Sequence, residues 1–216
     1  MPQFSTLLWE IAIVAFPVLL AITFHEAAHG YAADRLGDPT ARRAGRLSLN
    51  PLRHLDPAGT LVFVVTRMIG WAKPVPVNPV YFRHPRRDML WVAVAGPAAN
   101  LALAAAFAFV HNLLSLGAPG GRGEAWGFLL AVSRVGVLVN LGLGIFNLLP
   151  IPPLDGSRIL AGILPTRAAG AVYRMERYGF VLLLLVVFSG ALEHTLYPIL
   201  RVAARALLGA PPVLGG

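Results

Sequence analysis

Residues 24–30 read Phe24-His25-Glu26-Ala27-Ala28-His29-Gly30, and they end an apolar run that begins at Leu7 and carries only one charge, Glu10. An α-helix has about 3.6 residues per turn, so His25 and His29 lie on the same face of a helix, one turn apart. Two imidazoles in this arrangement can supply two ligands of a tetrahedral zinc site, and Glu26 can act as general base for a water molecule. The alternative is a pair of core histidines, which a position inside a membrane disfavours because ionisable groups there are costly and usually functional.

The composition excludes an ordinary soluble domain. Of the 216 residues, 56% are hydrophobic and 13% are charged, and the mean hydropathy is +0.67. Long apolar runs with these values indicate an integral membrane protein. The net charge of +8 comes from basic residues grouped between the apolar runs, which is typical of cytoplasmic loops and does not indicate a nucleic-acid partner.

The absence of cysteine limits the chemistry of any metal site. With no Cys in the sequence, a metal must be held by His, Asp or Glu side chains. The N-terminus lacks the basic region and cleavage site of a signal peptide, so we expect the first apolar helix to be retained. We expect residues 1–216 to form a single membrane-embedded domain.

The apolar runs predict an all-α polytopic membrane protein with about four transmembrane helices. Ten basic residues between Arg35 and Asp88 place that loop in the cytoplasm, with the N-terminus outside. We therefore expect an integral membrane protein whose active site is nearer the cytoplasmic face. The predicted helices are Leu7–Leu36, Met89–Leu116, Ala125–Leu149 and Tyr178–Leu200.

The loop between the first two helices contains two unusual stretches. Gly59–Gly70 is apolar and β-branched but too short to span, so it predicts a re-entrant piece. Trp71–Pro79 contains three prolines and is therefore expected to be extended without forming a central strand. Its edge could pair with an unwound substrate segment by strand addition, or it could be a stiff connector.

A hydrolytic zinc site uses three protein ligands and one open position, so a third ligand is needed. The third predicted helix ends in a proline-rich break, Asn147-Leu148-Leu149-Pro150-Ile151-Pro152-Pro153-Leu154-Asp155-Gly156. Broken backbone at membrane depth is tolerated where it is buried in protein or lines a watery cavity. Asp155 emerges from that break on the cytoplasmic side, as His25 and His29 do, and we select it as the third ligand. The other candidates considered are His54, Asp56, His84 and the pair Glu193-His194.

Three motifs together resemble the site-2 protease family of intramembrane zinc metalloproteases. They are His-Glu-x-x-His on the first helix, Gly96-Pro97-Ala98-Ala99-Asn100 on the second, and Asn-x-x-Pro-x-Pro-x-Leu-Asp-Gly after the third. The similarity covers about Phe16 to Gly162, and Asn50-Pro51 through Asn78-Pro79 resembles the compact bacterial members. We expect residues 1–216 to be a single metalloprotease domain of a bacterial cell membrane, without the PDZ domain of many bacterial members and without a membrane helix ahead of the motif helix.

The resemblance implies an all-helical zinc endopeptidase that cleaves transmembrane segments of membrane proteins within the lipid bilayer. It implies that His25, His29 and Asp155 bind one Zn²⁺ per chain and that Glu26 activates the water. Asn147 is implied to contact the scissile carbonyl or its oxyanion. The alternative functions are a metal-ion transporter or channel that uses the same His and Asp groups for transit, and an inactive relative that serves as a binding scaffold.

Overall fold

The computed structural model describes residues 4–59, 61, 72–117 and 123–209, with side chains described from Leu8 onward. Within these ranges the chain is helical and contains no β-strand, which confirms the all-α prediction. The main helices are α1 (Phe4–Arg35), α2 (Thr40–Arg43), α3 (Pro85–Leu116), α4 (Glu124–Asn147), α5 (Asp155–Ile163), α6 (Thr166–Met175), α7 (Gly179–Phe188) and α8 (Ala191–Leu208).

Three of these helices, α1, α3 and α4, are long and apolar enough to cross a membrane. Thr166–Phe188 and Ala191–Leu208 meet the same length and composition criteria together but are bent at the break between them. Among the described residues there are thus three candidate spans, or four if the bent pair forms one span. The exact number of spans stays a prediction.

The prediction of one continuous fourth helix over Tyr178–Leu200 is wrong. The chain breaks at Ser189-Gly190, where Gly190 adopts a left-handed conformation with φ of 73°. Such a conformation is strained for residues with a Cβ and common for glycine, and it ends an α-helix. The first part of the run therefore belongs to α7, and Glu193, His194 and the terminal arginines belong to the separate helix α8.

The C-terminal end of α1 is fixed by a hydrogen-bonded stop signal. Gly37 has φ of 108°, its N–H donates to Asp34 O at 3.2 Å, and the N–H of Asp38 donates to Ala33 O at 2.9 Å. This pattern is a Schellman motif, in which a left-handed glycine satisfies the last carbonyls of a helix. It ends α1 two turns beyond the His-Glu-x-x-His stretch and sends the chain into the loop that precedes α3.

That loop is only partly described. The predicted re-entrant piece, Gly59–Gly70, lies outside the described residues except for Gly59 and Leu61. Residues 73–78 have no regular secondary structure, and a short 3-10 helix follows at Pro79–Tyr81. One isolated antiparallel bridge pairs Leu55 with Ala72, so the β-like character expected of this region is limited, in the described residues, to a single pair.

The described chain divides into two compact units. The first comprises Met1–Ala21, Asn100–Phe146 and Leu184–Gly216, and its core contains Ala104, Ala108, Val137, Leu141 and Ala204. The second comprises Ile22–Ala99 and Asn147–Leu183, with a core cluster of Ala33, Phe82 and Val92. The second unit contains every site residue predicted from the sequence: His25, Glu26, His29, Asn147 and Asp155.

Candidate metal centre

The two histidines of α1 face each other across one helical turn. The Nε2 atoms of His25 and His29 lie 3.0 Å apart, and their rings meet edge to face with centroids 4.6 Å apart. His25 is only 7% exposed. The helical spacing of four residues therefore aims two imidazole nitrogens at the same buried point.

Asp155 meets this pair from another part of the chain. Its Oδ2 atom lies 3.1 Å from His25 Nε2 and 3.3 Å from His29 Nε2. Asp155 is the first residue of α5 and is 8% exposed. Its buried Oδ2 atom has no hydrogen-bond partner in the described part of the chain. A buried carboxylate oxygen without a donor is available to bind a metal ion.

Backbone packing after α4 brings Asp155 to this point. The chain leaves α4 at Asn147, turns through the proline-rich segment and starts α5 at Asp155. A Cβ on Gly156 would lie 2.3 Å from the carbonyl oxygens of both Leu148 and Leu149. Only glycine permits the chain to fold back this closely on the preceding turn.

The three donor atoms suit a zinc ion. Ligand atoms about 2.0–2.1 Å from a tetrahedral zinc lie about 3.3 Å apart, close to the separations found here. His29 Nδ1 lies 2.7 Å from the carbonyl oxygen of Val92, so Nδ1 carries the proton and donates, leaving the lone pair of Nε2 directed at His25 and Asp155. A lone pair and a carboxylate oxygen that converge in a buried place repel each other unless a cation lies between them. His25, His29 and Asp155 therefore form a group whose chemistry fits Zn²⁺.

Gly96 on α3 makes room for the histidine rings. A Cβ at this position would lie 2.4 Å from His29 Nε2 and 2.7 Å from His25 Cε1. Any side chain would therefore displace the rings. In the sequence, Gly96-Pro97-Ala98-Ala99-Asn100 serves as a family-like motif, and Gly96 has no predicted role in the site. Its only sequence signal is its place in the family-like motif, because close approach by a distant element leaves no local pattern.

Glu26 lies beside this group without belonging to it. Its Oε2 atom accepts a hydrogen bond of 2.9 Å from the backbone N–H of Val75, in the extended segment before α3. The side chain is half-buried, and its remaining carboxylate oxygen is not held by this bond. The position of Glu26 and its carboxylate therefore suit a proton acceptor near the metal-binding atoms of His25, His29 and Asp155.

Asn147 is the last residue of α4 and is half-buried. It lies eight residues before Asp155, at the start of the segment that carries this aspartate to the histidines. Its contact with a scissile carbonyl stays a prediction.

The other candidates for a third ligand have different roles. His54 is fully buried, and its Nε2 lies 2.7 Å from Ser48 O. Asp56 Oδ1 accepts from the Gly59 N–H at 2.8 Å, as a turn-capping carboxylate does. His84 precedes α3, and its N–H donates to Asp88 Oδ2 at 2.9 Å. Glu193 and His194 are exposed on α8. Among the described residues, only His25, His29 and Asp155 bring three potential metal-binding groups together.

A His-Glu-x-x-His helix whose histidines meet a carboxylate from a distant segment is typical of the zinc metallopeptidase class. Comparison with known proteins agrees with this class. The model of Peptidase family M50 matches residues 115–188. The chain is 38% identical over 200 residues to the "Putative zinc metalloprotease YwhC" of Bacillus subtilis, covering 88% of this chain and 87% of that protein.

Two further relatives carry similar names. The chain is 30% identical to the "Putative zinc metalloprotease MJ0611" of Methanocaldococcus jannaschii, over 74% of this chain and 73% of that protein. It is also 30% identical to the "Putative zinc metalloprotease Rip2" of Mycolicibacterium smegmatis, over 82% of this chain and 66% of that protein. No solved structure matches the chain. The chain therefore belongs to peptidase family M50, the site-2 protease family, and is an integral membrane zinc metalloprotease.

Proposed function

We propose that this protein is an intramembrane endopeptidase that cleaves transmembrane segments of other membrane proteins. The observation that carries the proposal is the convergence of His25, His29 and Asp155, with His25 and His29 on a helix long and apolar enough to span a bilayer. Ionisable groups in such a helix are costly and mark functional sites. A soluble peptide would not require its protease to carry these groups on a membrane-spanning helix.

We assign the roles of the site residues as follows. His25, His29 and Asp155 would hold one zinc ion per chain, and Glu26 serves as the general base. When bound, zinc supplies Lewis-acid chemistry, because it polarises a carbonyl group and makes a water molecule more acidic. Glu26 takes a proton from the attacking water and returns it to the leaving amine. Asn147 donates an N–H to the carbonyl oxygen as negative charge develops there.

The substrate helix must unwind before this chemistry can occur. In a helix the peptide bond is hydrogen-bonded and shielded by side chains, so the scissile segment has to be presented in an extended form. Water must also reach the site, which requires a polar path from the nearer membrane face. The grouping of basic residues between Arg35 and Asp88 supports a site nearer the cytoplasm with the N-terminus outside. We further propose that the chain is a single metalloprotease domain of a bacterial cell membrane.

The direct test uses purified protein reconstituted into lipid vesicles with a peptide that spans the bilayer. We expect cleavage within the spanning segment, its loss on addition of a zinc chelator, and its return when zinc is restored. Cleavage that persists in the chelator would contradict the metal-dependent mechanism. Passage of zinc ions into the vesicles without cleavage of any spanning peptide would favour transport instead.

A further inference from the structure

The residues 72–78, which we call the anchored segment, are fixed at several points within their own unit. The N–H of Lys73 donates to His54 O at 2.9 Å, and the N–H of Asn78 donates to the fully buried Asp38 at 2.6 Å. These bonds hold both ends of an extended stretch that contains two prolines, Pro74 and Pro76. The anchored segment therefore has one well-defined path across the unit.

Arg46 fixes the first part of this path, just before Val75. Its guanidinium donates from Nη2 to the carbonyl oxygen of Lys73 and lies 3.5 Å from that of Pro74. Arg46 is only 7% exposed, and its Nε atom has no partner in the described part of the chain. Burying a charged group is costly unless its hydrogen bonds compensate. Because the buried guanidinium of Arg46 contacts two adjacent carbonyl oxygens, it holds that stretch of backbone in place.

Val75, the next residue, contacts α1 in two ways. Its side chain packs beside Gly30, where an added Cβ would lie 3.2 Å from Val75 Cγ1. Its N–H donates to Glu26 Oε2 at 2.9 Å. Glu26 and Gly30 are four residues apart and share one face of the helix. Val75 is therefore docked on α1 by its side chain at the position that directs its N–H at the carboxylate.

Building on the proposed function, we propose that the anchored segment positions the general base: the N–H of Val75 holds one carboxylate oxygen of Glu26, and Arg46 holds Val75 in place. A carboxylate has free rotation about its terminal bond unless one oxygen is fixed. With Oε2 fixed by Val75, the other oxygen keeps one direction in which to accept a proton. Val75 and Arg46 are positioning residues, because they act on the reaction through Glu26.

The same hydrogen bonds argue against the anchored segment as a strand-pairing edge for substrate. Between residues 73 and 78, the N–H groups of Lys73, Val75 and Asn78 donate within the protein, and Pro74 and Pro76 have none. Only the N–H of Val77 makes no hydrogen bond to a described residue. A strand edge needs alternate free donors and acceptors along its length to bind a partner strand.

The first test measures the Val75 hydrogen bond without relying on activity. Protein labelled with ¹⁵N-valine is compared with its Glu26→Ala variant by amide hydrogen exchange in NMR spectra. We expect the Val75 amide to exchange about tenfold faster in the variant, because exchange requires its hydrogen bond to open. The Val77 amide serves as internal control and should not change. Equal exchange at Val75 in both proteins would overturn the proposal.

The second test removes the donor itself. Replacing the amide of Val75 with an ester deletes its N–H and keeps the side chain, and the same replacement at Val77 is the matched control. We expect the Val75 ester to lower kcat about tenfold, with KM and zinc content unchanged, as for the loss of a group that acts only in the transition state. A rise in KM with unchanged kcat would overturn the proposal and show that the segment binds substrate.

Arg46 provides a conservative series. Arg46→Met removes the charge and the Nη2 donor that contacts both carbonyls, and we expect a fall in kcat similar to that of the Val75 ester. Arg46→Lys keeps a cation that can bond to one carbonyl, so it should recover part of kcat. Full activity in Arg46→Met would overturn the role of Arg46. If the wild-type protein cleaved no peptide, the proposed function would fail, while the exchange measurement would still decide whether Val75 holds Glu26.

Discussion

The two units of this protein each bury a group of polar side chains, and the two groups differ in how their hydrogen bonds are satisfied. In the first unit, Asn100 Nδ2 donates to Ala21 O and to Asn140 Oδ1, both at 3.0 Å, and Asn140 Nδ2 donates to Gly136 O at 2.9 Å. Both amides are fully buried. Donors face acceptors in each of these bonds, so the two amides need no ligand to satisfy their hydrogen bonds.

In the second unit, acceptor atoms face each other. The Nε2 of His29, whose proton is on Nδ1, and the carboxylate of Asp155 are directed at one point with His25. A buried polar group lacking complementary partners is destabilising until a ligand supplies them. The comparison distinguishes two kinds of buried polar group. In the first unit, donors and acceptors pair with each other, as in residues that join helices. In the second unit, acceptor atoms converge on one point, as expected of residues that bind a metal.

The largest effect is expected for Glu26→Gln in the second unit. The variant keeps the size of the side chain but cannot accept a proton, so kcat should fall by about 10²–10⁴-fold. Zinc content should not change, because Glu26 is outside the group of metal-binding atoms. Peptide cleavage and zinc stoichiometry are measured on the same preparation. Proteolysis at the wild-type rate would show that Glu26 is not the base.

The next effect separates a glycine that faces the histidines from one that faces open space. A Cβ on Gly96 would meet the rings of His25 and His29, whereas a Cβ on Gly142 of α4 would meet nothing within 4 Å. Gly96→Ala should weaken zinc binding about 10–100-fold, as loss of ligand support usually does. Gly142→Ala should bind zinc like the wild type. Competition with a chromogenic chelator measures both affinities, and equal affinities would show that Gly96 does not shape the site.

The smallest effect is expected in the first unit. A double-mutant cycle with Asn100→Leu and Asn140→Leu should give a coupling free energy of about 0.6 kcal/mol, the average for hydrogen bonds between membrane helices. Unfolding in detergent micelles provides the free energies, and zinc content should stay constant in all three variants. Loss of zinc in either single variant would mean that the amide group is not independent of the metal site.

The sequence was most informative where the geometry is local. The spacing of His25 and His29 on one helix follows from the helical repeat alone, and their Nε2 atoms are indeed 3.0 Å apart. Asp155 requires more, because it lies 126 positions after His29 in the sequence. The broken helix and the charge pattern of the loops are the signals that select it. The helical spacing and the charge pattern can both be read from a single sequence, because the first follows from chain geometry and the second from membrane chemistry.

The remaining features depend on contacts between distant segments. Nothing near Gly96 indicates that histidine rings pack against it, and the prolines around Val75 predict extended backbone without identifying Glu26 as its partner. The break at Gly190 was missed because a single glycine in an apolar run is often tolerated inside a helix. The sequence predicts that α3 starts at Met89, but the helix starts four residues earlier, at Pro85. Proline at the first helical position and the hydrogen bond from the His84 N–H to Asp88 mark this start.

The central claim is that Asp155 completes a zinc site with His25 and His29, and zinc content tests it most directly. Wild-type protein, Asp155→Ala and the control Asn140→Leu are purified in parallel and assayed for zinc by mass spectrometry, with X-ray absorption spectra of the zinc-bound forms. We predict one zinc per chain with nitrogen and oxygen ligands in the wild type and in Asn140→Leu, and strongly reduced zinc in Asp155→Ala. Unchanged zinc stoichiometry and an unchanged spectrum in Asp155→Ala would contradict the account.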